Sequence, residues 1–140
     1  MRVVAWSPNL TKERTDAVGV ELASSKADLF KQADFLTIHM PLVPSTHHLV
    51  TATEFALMKP TAFFINTSRG PITDEAALIQ VLSADKLAGV ALDVYDVEPL
   101  PLDSPLRGFS KVTLSPHNAY VSTDVYKVAS SFISVQCQPC

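Results

Sequence analysis

The sequence predicts an α/β domain built on a parallel sheet with crossover helices. Short apolar runs of strand length alternate with capped, amphipathic segments along the chain. Leu87-Ala-Gly-Val-Ala-Leu92 is apolar without polar alternation, as a strand is when helices cover both of its faces. Arg69, Glu98 and His117 each follow a separate apolar run: Ala62–Ile65, Leu87–Leu92 and Val112–Leu114. Parallel strands would gather all three at the carboxyl edge of the sheet, where open α/β sheets bind ligands.

The elements follow in order. Arg2–Trp6 reads as the first strand. Thr11 caps a short helix that Gly19 ends, since glycine readily supplies the left-handed residue after a helix. Val20–Leu22 is a short strand. Ser25, with Asp28 three residues on, opens a helix that turns Leu29, Phe30 and Ala33 inward. Phe35–Ile38 is the next strand, closed by Pro41 and Pro44. Thr51-x-x-Glu54 is a capping box for a helix of one to two turns before Lys59-Pro60. After the Ala62–Ile65 strand, Asp74 and Glu75 suit the positive end of a helix with Ala77, Leu78, Val81 and Leu82 on one face. Leu87–Leu92 is a strand, Pro99 to Pro105 a proline-rich loop, and Val112–Leu114 the last strand. A final helix is expected from near Ser122, with Val125, Val128, Ala129, Phe132 and Ile133 in its stripe, and a loose tail beyond Val135.

With 140 residues, 47% of them hydrophobic and 18% charged, the chain suffices for one domain with its own core. A net charge of −3 leaves no basic footprint, which argues against a nucleic-acid partner. No apolar run approaches the roughly 18 residues of a membrane span, and the N-terminus is too short in its apolar part for a secretory signal. A cytoplasmic location is the resulting expectation. Cys137 and Cys140 form a C-x-x-C in the last four residues. A redox pair normally opens a helix, which lowers its thiol pKa, so this trailing pair reads as a chance tail. No metal site is expected.

Taken singly, the three strand-end residues are ambiguous. Arg69 is equally a surface arginine pairing with Asp74 or Glu75, or a bidentate clamp on a substrate carboxylate. Glu98 alone is a solvated loop acid, and Asp93, directly after its strand, is better placed for a ligand. A lone loop histidine such as His117 is more often structural, but beside a carboxylate it can hold a proton near neutral pH. His39 also follows a strand, whereas His47 and His48 lie in a polar turn. Together the three suit reduction of a carbonyl next to a carboxylate. Arg69 would anchor the acid, His117 would pass a proton to the oxygen, and Glu98 would keep the imidazole protonated. The hydride must come from a bound cofactor.

At these residues the chain resembles the nucleotide-binding domain of the D-isomer-specific 2-hydroxyacid dehydrogenases. The matching motifs are His39-Met-Pro-Leu-Val-Pro-Ser-Thr46, Asn66-Thr-Ser-Arg-Gly-Pro-Ile-Thr-Asp-Glu75, Gly89-Val-Ala-Leu-Asp-Val-Tyr-Asp-Val-Glu-Pro-Leu-Pro101 and Ser115-Pro-His117. The resemblance implies a doubly wound, Rossmann-like parallel sheet and reduction of 2-keto acids (hydroxypyruvate, glyoxylate or phosphoglycerate-type) with NAD or NADP. It puts Arg69 on the substrate, Glu98 against His117 as the acid/base pair, and Asp93 near the nicotinamide amide. It lines the cofactor with segments that carry Pro41, Thr46 and Thr67, and implies a homodimer in the full-length family context.

The departures are specific. No G-x-G-x-x-G is present, because the only glycines are Gly19, Gly70, Gly89 and Gly108. The expectation is a partial dinucleotide-binding domain over residues 1–125, incomplete at its N-terminal strand, followed by a helix end and tail over 126–140. Without a central strand, its neighbours pair directly, or the sheet is gapped, or another segment fills the slot. Ser7 stands where NAD enzymes carry an acid for the ribose hydroxyls, and Lys12 and Arg14 nearby leave NADP open. Asn118-Ala119 replaces the family's usual apolar residue and glycine. The sequence therefore reads as an inactive fragment of an oxidoreductase. The alternative is a non-catalytic module for dinucleotide sensing or oligomerisation.

Overall fold

The computed structural model describes residues 1–122. The Val125–Ile133 stripe, Cys137, Cys140 and the 126–140 segment lie outside the described residues. Strand β1 (Val4–Ala5) leads through α1 (Lys12–Asp16) to β2 (Glu21–Leu22), and α2 (Lys26–Gln32) leads on to β3 (Phe35–Ile38). Helix α3 (Ala52–Phe55) precedes β4 (Phe63–Asn66), α4 (Glu75–Ser83) crosses to β5 (Gly89–Leu92), and β6 (Val112–Leu114) follows the proline-rich loop. All strand pairs are parallel, as in a doubly wound fold.

Of the three ways to manage a missing central strand, the described residues show the gap. Among the described residues β1 pairs only with β2, while β3-β4-β5-β6 form a separate four-stranded sheet. The small sheet has little to press against the large one, because both β2 residues are exposed and neither β1 residue is fully buried.

Register decides which side chains meet. Leu36, Phe64, Val90 and Val112 form one row, and Ile38, Asn66, Leu92 and Leu114 another. These rows face Phe30 of α2, Phe55 of α3 and Leu78 and Leu82 of α4 in one apolar core. The alternate rows, Phe35-Phe63-Gly89 and Thr37-Ile65-Ala91-Thr113, face the other way. There Phe35 is 62% and Phe63 39% exposed, their rings stacked at 5.1 Å. The expectation of two covered faces concerns Leu87–Leu92, where Gly89, Val90 and Leu92 are buried and Ala91 is half-buried; on β3 and β4 the second face is largely exposed among the described residues.

Local signals placed the helices well. Ser25 Oγ accepts from the Asp28 N–H at 3.0 Å, but the Asp28 carboxylate turns to the N–H and hydroxyl of Ser24 instead of completing a box on Ser25. The Thr51/Glu54 box is complete, and Asp74 caps α4 by accepting from the Ala77 N–H. α1 stops at Asp16, short of the expected end. Gly19, at φ +68°, closes the turn beyond it, with Val20 N–H reaching back to Thr15 O.

Candidate active site

Parallel strands put Arg69, Glu98 and His117 beyond the carboxyl ends of β4, β5 and β6. Three short loops then aim them. Asn66, the last residue of β4 and 1% exposed, shapes the first loop. Its side-chain amide donates to Arg69 O at 2.9 Å, and its carbonyl accepts from Ser68 N–H at 3.0 Å. Ser68 Oγ donates to Met40 O, tying this turn to the end of β3. Gly70 lets the turn lie against β5's loop, because a Cβ there would overlap the carbonyl of Tyr95 and come within 2.6 Å of Asp96 N. Arg69 itself is exposed and donates to its neighbour's carbonyl, Ser68 O. No ion pair joins it to Asp74 or Glu75 among the described residues, so the simple surface-pair reading has no support.

Glu98 and His117 meet. His117 Nδ1 lies 2.6 Å from Glu98 Oε2, and Glu98 Oε1 accepts from the Tyr95 N–H at 3.0 Å. Burial opposes the Glu98 charge, yet the His117 hydrogen bond, the Tyr95 N–H and the positive fields of His117 and Arg69 hold its carboxyl below the usual glutamate range. An ionised carboxylate only accepts, so the proton of this bond sits on Nδ1 and Nε2 is left for a ligand. Both side chains remain about one-third exposed (32% and 34%), on an open rim.

His117 adopts φ +56°, a left-handed conformation unusual for a side-chain-bearing residue. Asp93 over-determines that turn. It is 3% exposed and accepts from Ser115 Oγ, Asn118 N–H and Ala119 N–H. Burial alone would raise its pKa, but those three donors and the His117 field bring it below the ordinary aspartate value. With both oxygens engaged, Asp93 orders the loop that carries His117.

The other expected positions are scattered. Thr46 is 4% exposed, and its hydroxyl is spent inside its own loop, donating to Pro41 O at 2.7 Å and accepting from Val43 N–H at 2.9 Å. Pro41, His39 and Thr67 are exposed beyond β3 and β4, and His39 Nε2 contacts Thr37 Oγ1 at 3.0 Å. Ser7 lies past β1 on the small sheet. Sequence reasoning missed Asn66, Ser68 and Tyr95 as shapers of the rim. A polar residue closing the run Phe63-Phe-Ile-Asn66 was the available signal for the first.

A dinucleotide needs a pyrophosphate cradle as well as a place for its nicotinamide. On the rim, Asp93 has both carboxylate oxygens engaged by the His117 loop. For the cradle, a glycine-rich strand-to-helix turn is required, and none of the glycines provides one. Gly19 follows α1, Gly70 packs on Tyr95, Gly89 lies in β5 against the Phe63 ring, and Gly108 ends a 3₁₀ turn. The phosphate end does not fit this chain alone. Among the described residues no group of three or more His, Cys, Asp or Glu is arranged for a metal, and no helix is long and apolar enough to cross a membrane.

A parallel α/β sheet with a polar carboxyl rim is the framework of a dinucleotide-binding domain. Residues 1–119 match the model of the D-isomer specific 2-hydroxyacid dehydrogenase, NAD binding domain, and the chain belongs to that family. It is 45% identical over 117 residues to a D-3-phosphoglycerate dehydrogenase of Synechocystis, which covers 84% of this chain and 21% of that protein. It is 41% identical over 119 residues to a glyoxylate reductase of Aeropyrum pernix, covering 85% of this chain and 35% of the other. Among solved structures, a putative D-3-phosphoglycerate dehydrogenase from Ralstonia solanacearum superposes with a TM-score of 0.84 at 34% identity, over 91% of this chain and 37% of that one. A D-isomer specific 2-hydroxyacid dehydrogenase from Xanthobacter autotrophicus, in complex with NADPH and MES, gives 0.71 at 32% identity, over 86% and 42%. The chain therefore spans well under half the length of these relatives.

Proposed function

We propose that this chain supplies the carboxylate-binding and proton-transferring part of an NAD(P)-dependent 2-hydroxyacid dehydrogenase, acting on 2-keto acids of the hydroxypyruvate, glyoxylate or phosphoglycerate type. The 2.6 Å contact between His117 and Glu98, on the rim that also carries Arg69 without an acidic partner among the described residues, is the observation that supports it. Arg69 holds the substrate carboxylate in its planar fork. His117 Nε2 delivers a proton to the carbonyl oxygen on reduction, or removes it from the hydroxyl on oxidation, while Glu98 stabilises the imidazolium. Hydride moves to or from the nicotinamide dinucleotide when one is bound. Lys12 is tied to Asp16 at 2.7 Å, which leaves Arg14 as the cation near Ser7 for a 2′-phosphate if NADP is used.

The reading makes two measurable claims. Titrating the isotope-labelled 140-residue chain with oxamate, a 2-keto-acid mimic, shifts the Arg69 guanidinium and His117 imidazole signals together, and Arg69→Ala abolishes the His117 shift. Oxamate that leaves both signals unmoved refutes the reading. The chain alone reduces hydroxypyruvate, glyoxylate or pyruvate with NADH or NADPH at no rate above background, since the pyrophosphate has no cradle. A non-catalytic oligomerisation module is the second reading, favoured by the exposed Phe35/Phe63 pair on the open sheet face. A monomer by sedimentation that still binds oxamate at the rim argues against it.

A further inference from the structure

We propose that Tyr95 is the positioning residue of this rim: its hydroxyl fixes the His117 loop, its backbone N–H aims Glu98, and its carbonyl seats the Arg69 turn. The inference rests on the reading of Arg69, Glu98 and His117 as one site. It adds a residue that touches all three loops and contacts no substrate itself.

The geometry is specific. Tyr95 follows β5 by three residues and is 6% exposed, its ring part of the apolar core. The hydroxyl reaches the end of β6, where Ser115 O accepts from it at 2.7 Å and Ser115 N–H donates to it at 3.2 Å. Leu92 O lies 3.1 Å away and accepts the longer share of the same proton. Because Ser115 N–H also donates to Leu92 O at 2.9 Å, hydroxyl and strand end form one closed knot. Ser115 is two residues before His117, and its own hydroxyl bonds Asp93, so the strained turn starts from a fixed point.

On its other side Tyr95 addresses the acid. Its N–H takes Glu98 Oε1, which leaves Oε2 to face His117 Nδ1. The Tyr95 carbonyl forms the wall on which Gly70 lies, one residue from Arg69. A phenol suits this place better than a shorter alcohol because it spans from β5 to β6 while its ring fills core volume. Burial holds its pKa above the ordinary phenol value, so the hydroxyl keeps the proton it donates throughout the neutral range.

The test compares the 140-residue chain with Tyr95→Phe, which keeps the ring and deletes only the hydroxyl. Carbon-13 NMR follows the Glu98 carboxyl through acid titration, and the hydrogen-bonded His117 Nδ1 proton is observed directly. Two charged groups bear on that carboxyl, His117 and Arg69, both from facing loops. In the wild type Glu98 titrates below the ordinary glutamate value. In Tyr95→Phe the midpoint moves up toward it and the Nδ1 proton signal is lost to exchange. Phe55→Leu, a core change away from the rim, lowers stability and leaves the titration where it was. Should Tyr95→Phe not fold, 3-fluorotyrosine placed at position 95 gives a more acidic hydroxyl of nearly the same shape, and the Glu98 midpoint shifts with it.

An unchanged Glu98 titration and Nδ1 signal in Tyr95→Phe overturn the proposal. So does a shift of equal size in Phe55→Leu, which would make the effect general loosening. Neither readout needs turnover or a dinucleotide. If the Tyr95 readouts behave as expected while oxamate moves nothing, the dehydrogenase reading fails and the positioning role stands.

Discussion

Gly70→Ala examines the packing that brings the Arg69 turn to the other two loops. The added Cβ would overlap the carbonyl carbon and oxygen of the buried Tyr95 and lie 2.6 Å from Asp96 N, all of them backbone atoms. No rotamer change relieves such a contact, so one loop must move, at a cost of about 2–3 kcal/mol in line with overpacked cores. At roughly 4 °C per kcal/mol for a domain of this size, the melting temperature should fall by about 10 °C. Two other glycines calibrate the scale. At Gly89 the new atom would meet the Phe63 ring at 2.7 Å, and that ring is half-exposed and can swing aside, so the loss should be smaller. At Gly108 nothing lies within 4 Å, so alanine should be neutral or slightly stabilising. Thermal unfolding by circular dichroism ranks the three. A Gly70→Ala melting point within about 2 °C of wild type would refute the packing described between the Arg69 turn and Tyr95.

Further expectations concern the same framework. Asp93→Asn puts an amide where three donors converge, and unfolding in urea should show a loss of about 1–3 kcal/mol, with faster amide exchange at Asn118 and Ala119. Acid should weaken the rim in a defined window. Asp93 and Glu98 both have folded-state values below their unfolded ones, so their contribution is full above about pH 4.3 and is lost as the pH falls through the folded values. Glu75 runs the other way, its pKa raised chiefly by burial, so it opposes folding at neutral pH and less so in acid. Glu75→Gln should therefore raise the melting temperature at pH 7 and have little effect near pH 3. Phe64→Ala, at a side chain with 0% exposure in the middle of β4, should cost about 3–5 kcal/mol in denaturant unfolding.

Much of the fold was legible because its signals are local. Phe35–Ile38 and Val112–Leu114 emerged as strands with the expected bounds, and the Thr51/Glu54 box formed as the pattern required. The gap in the sheet was legible only as one of three outcomes, since strand pairing depends on the area available across it. Phe35 and Phe63 fall in strands that the sequence marked, yet their side of the sheet has no covering helix among the described residues, and a one-dimensional pattern does not distinguish the two faces of a parallel strand. At the rim, sequence order brought out the residues that strand ends aim outward. It did not reveal those that hold the aim. Tyr95 carried no signal of its own in the sequence, and its hydroxyl acquires partners only when β5 and β6 lie side by side. The hydroxyl of Thr46 is taken up within five residues of chain, a local bond that the sequence pattern did not show.

The proposed proton path at the rim depends on the state of one imidazole, that of His117. Nitrogen-15 NMR of the histidine rings in the 140-residue chain, above the pH at which they lose their charge, reports which nitrogen of His117 keeps the proton. The carboxylate of Glu98 at 2.6 Å dictates Nδ1–H with a bare Nε2, and Glu98→Gln should abolish that preference. An Nε2–H tautomer in the wild type, unchanged by Glu98→Gln, would contradict the pairing and with it the proposed path for the proton.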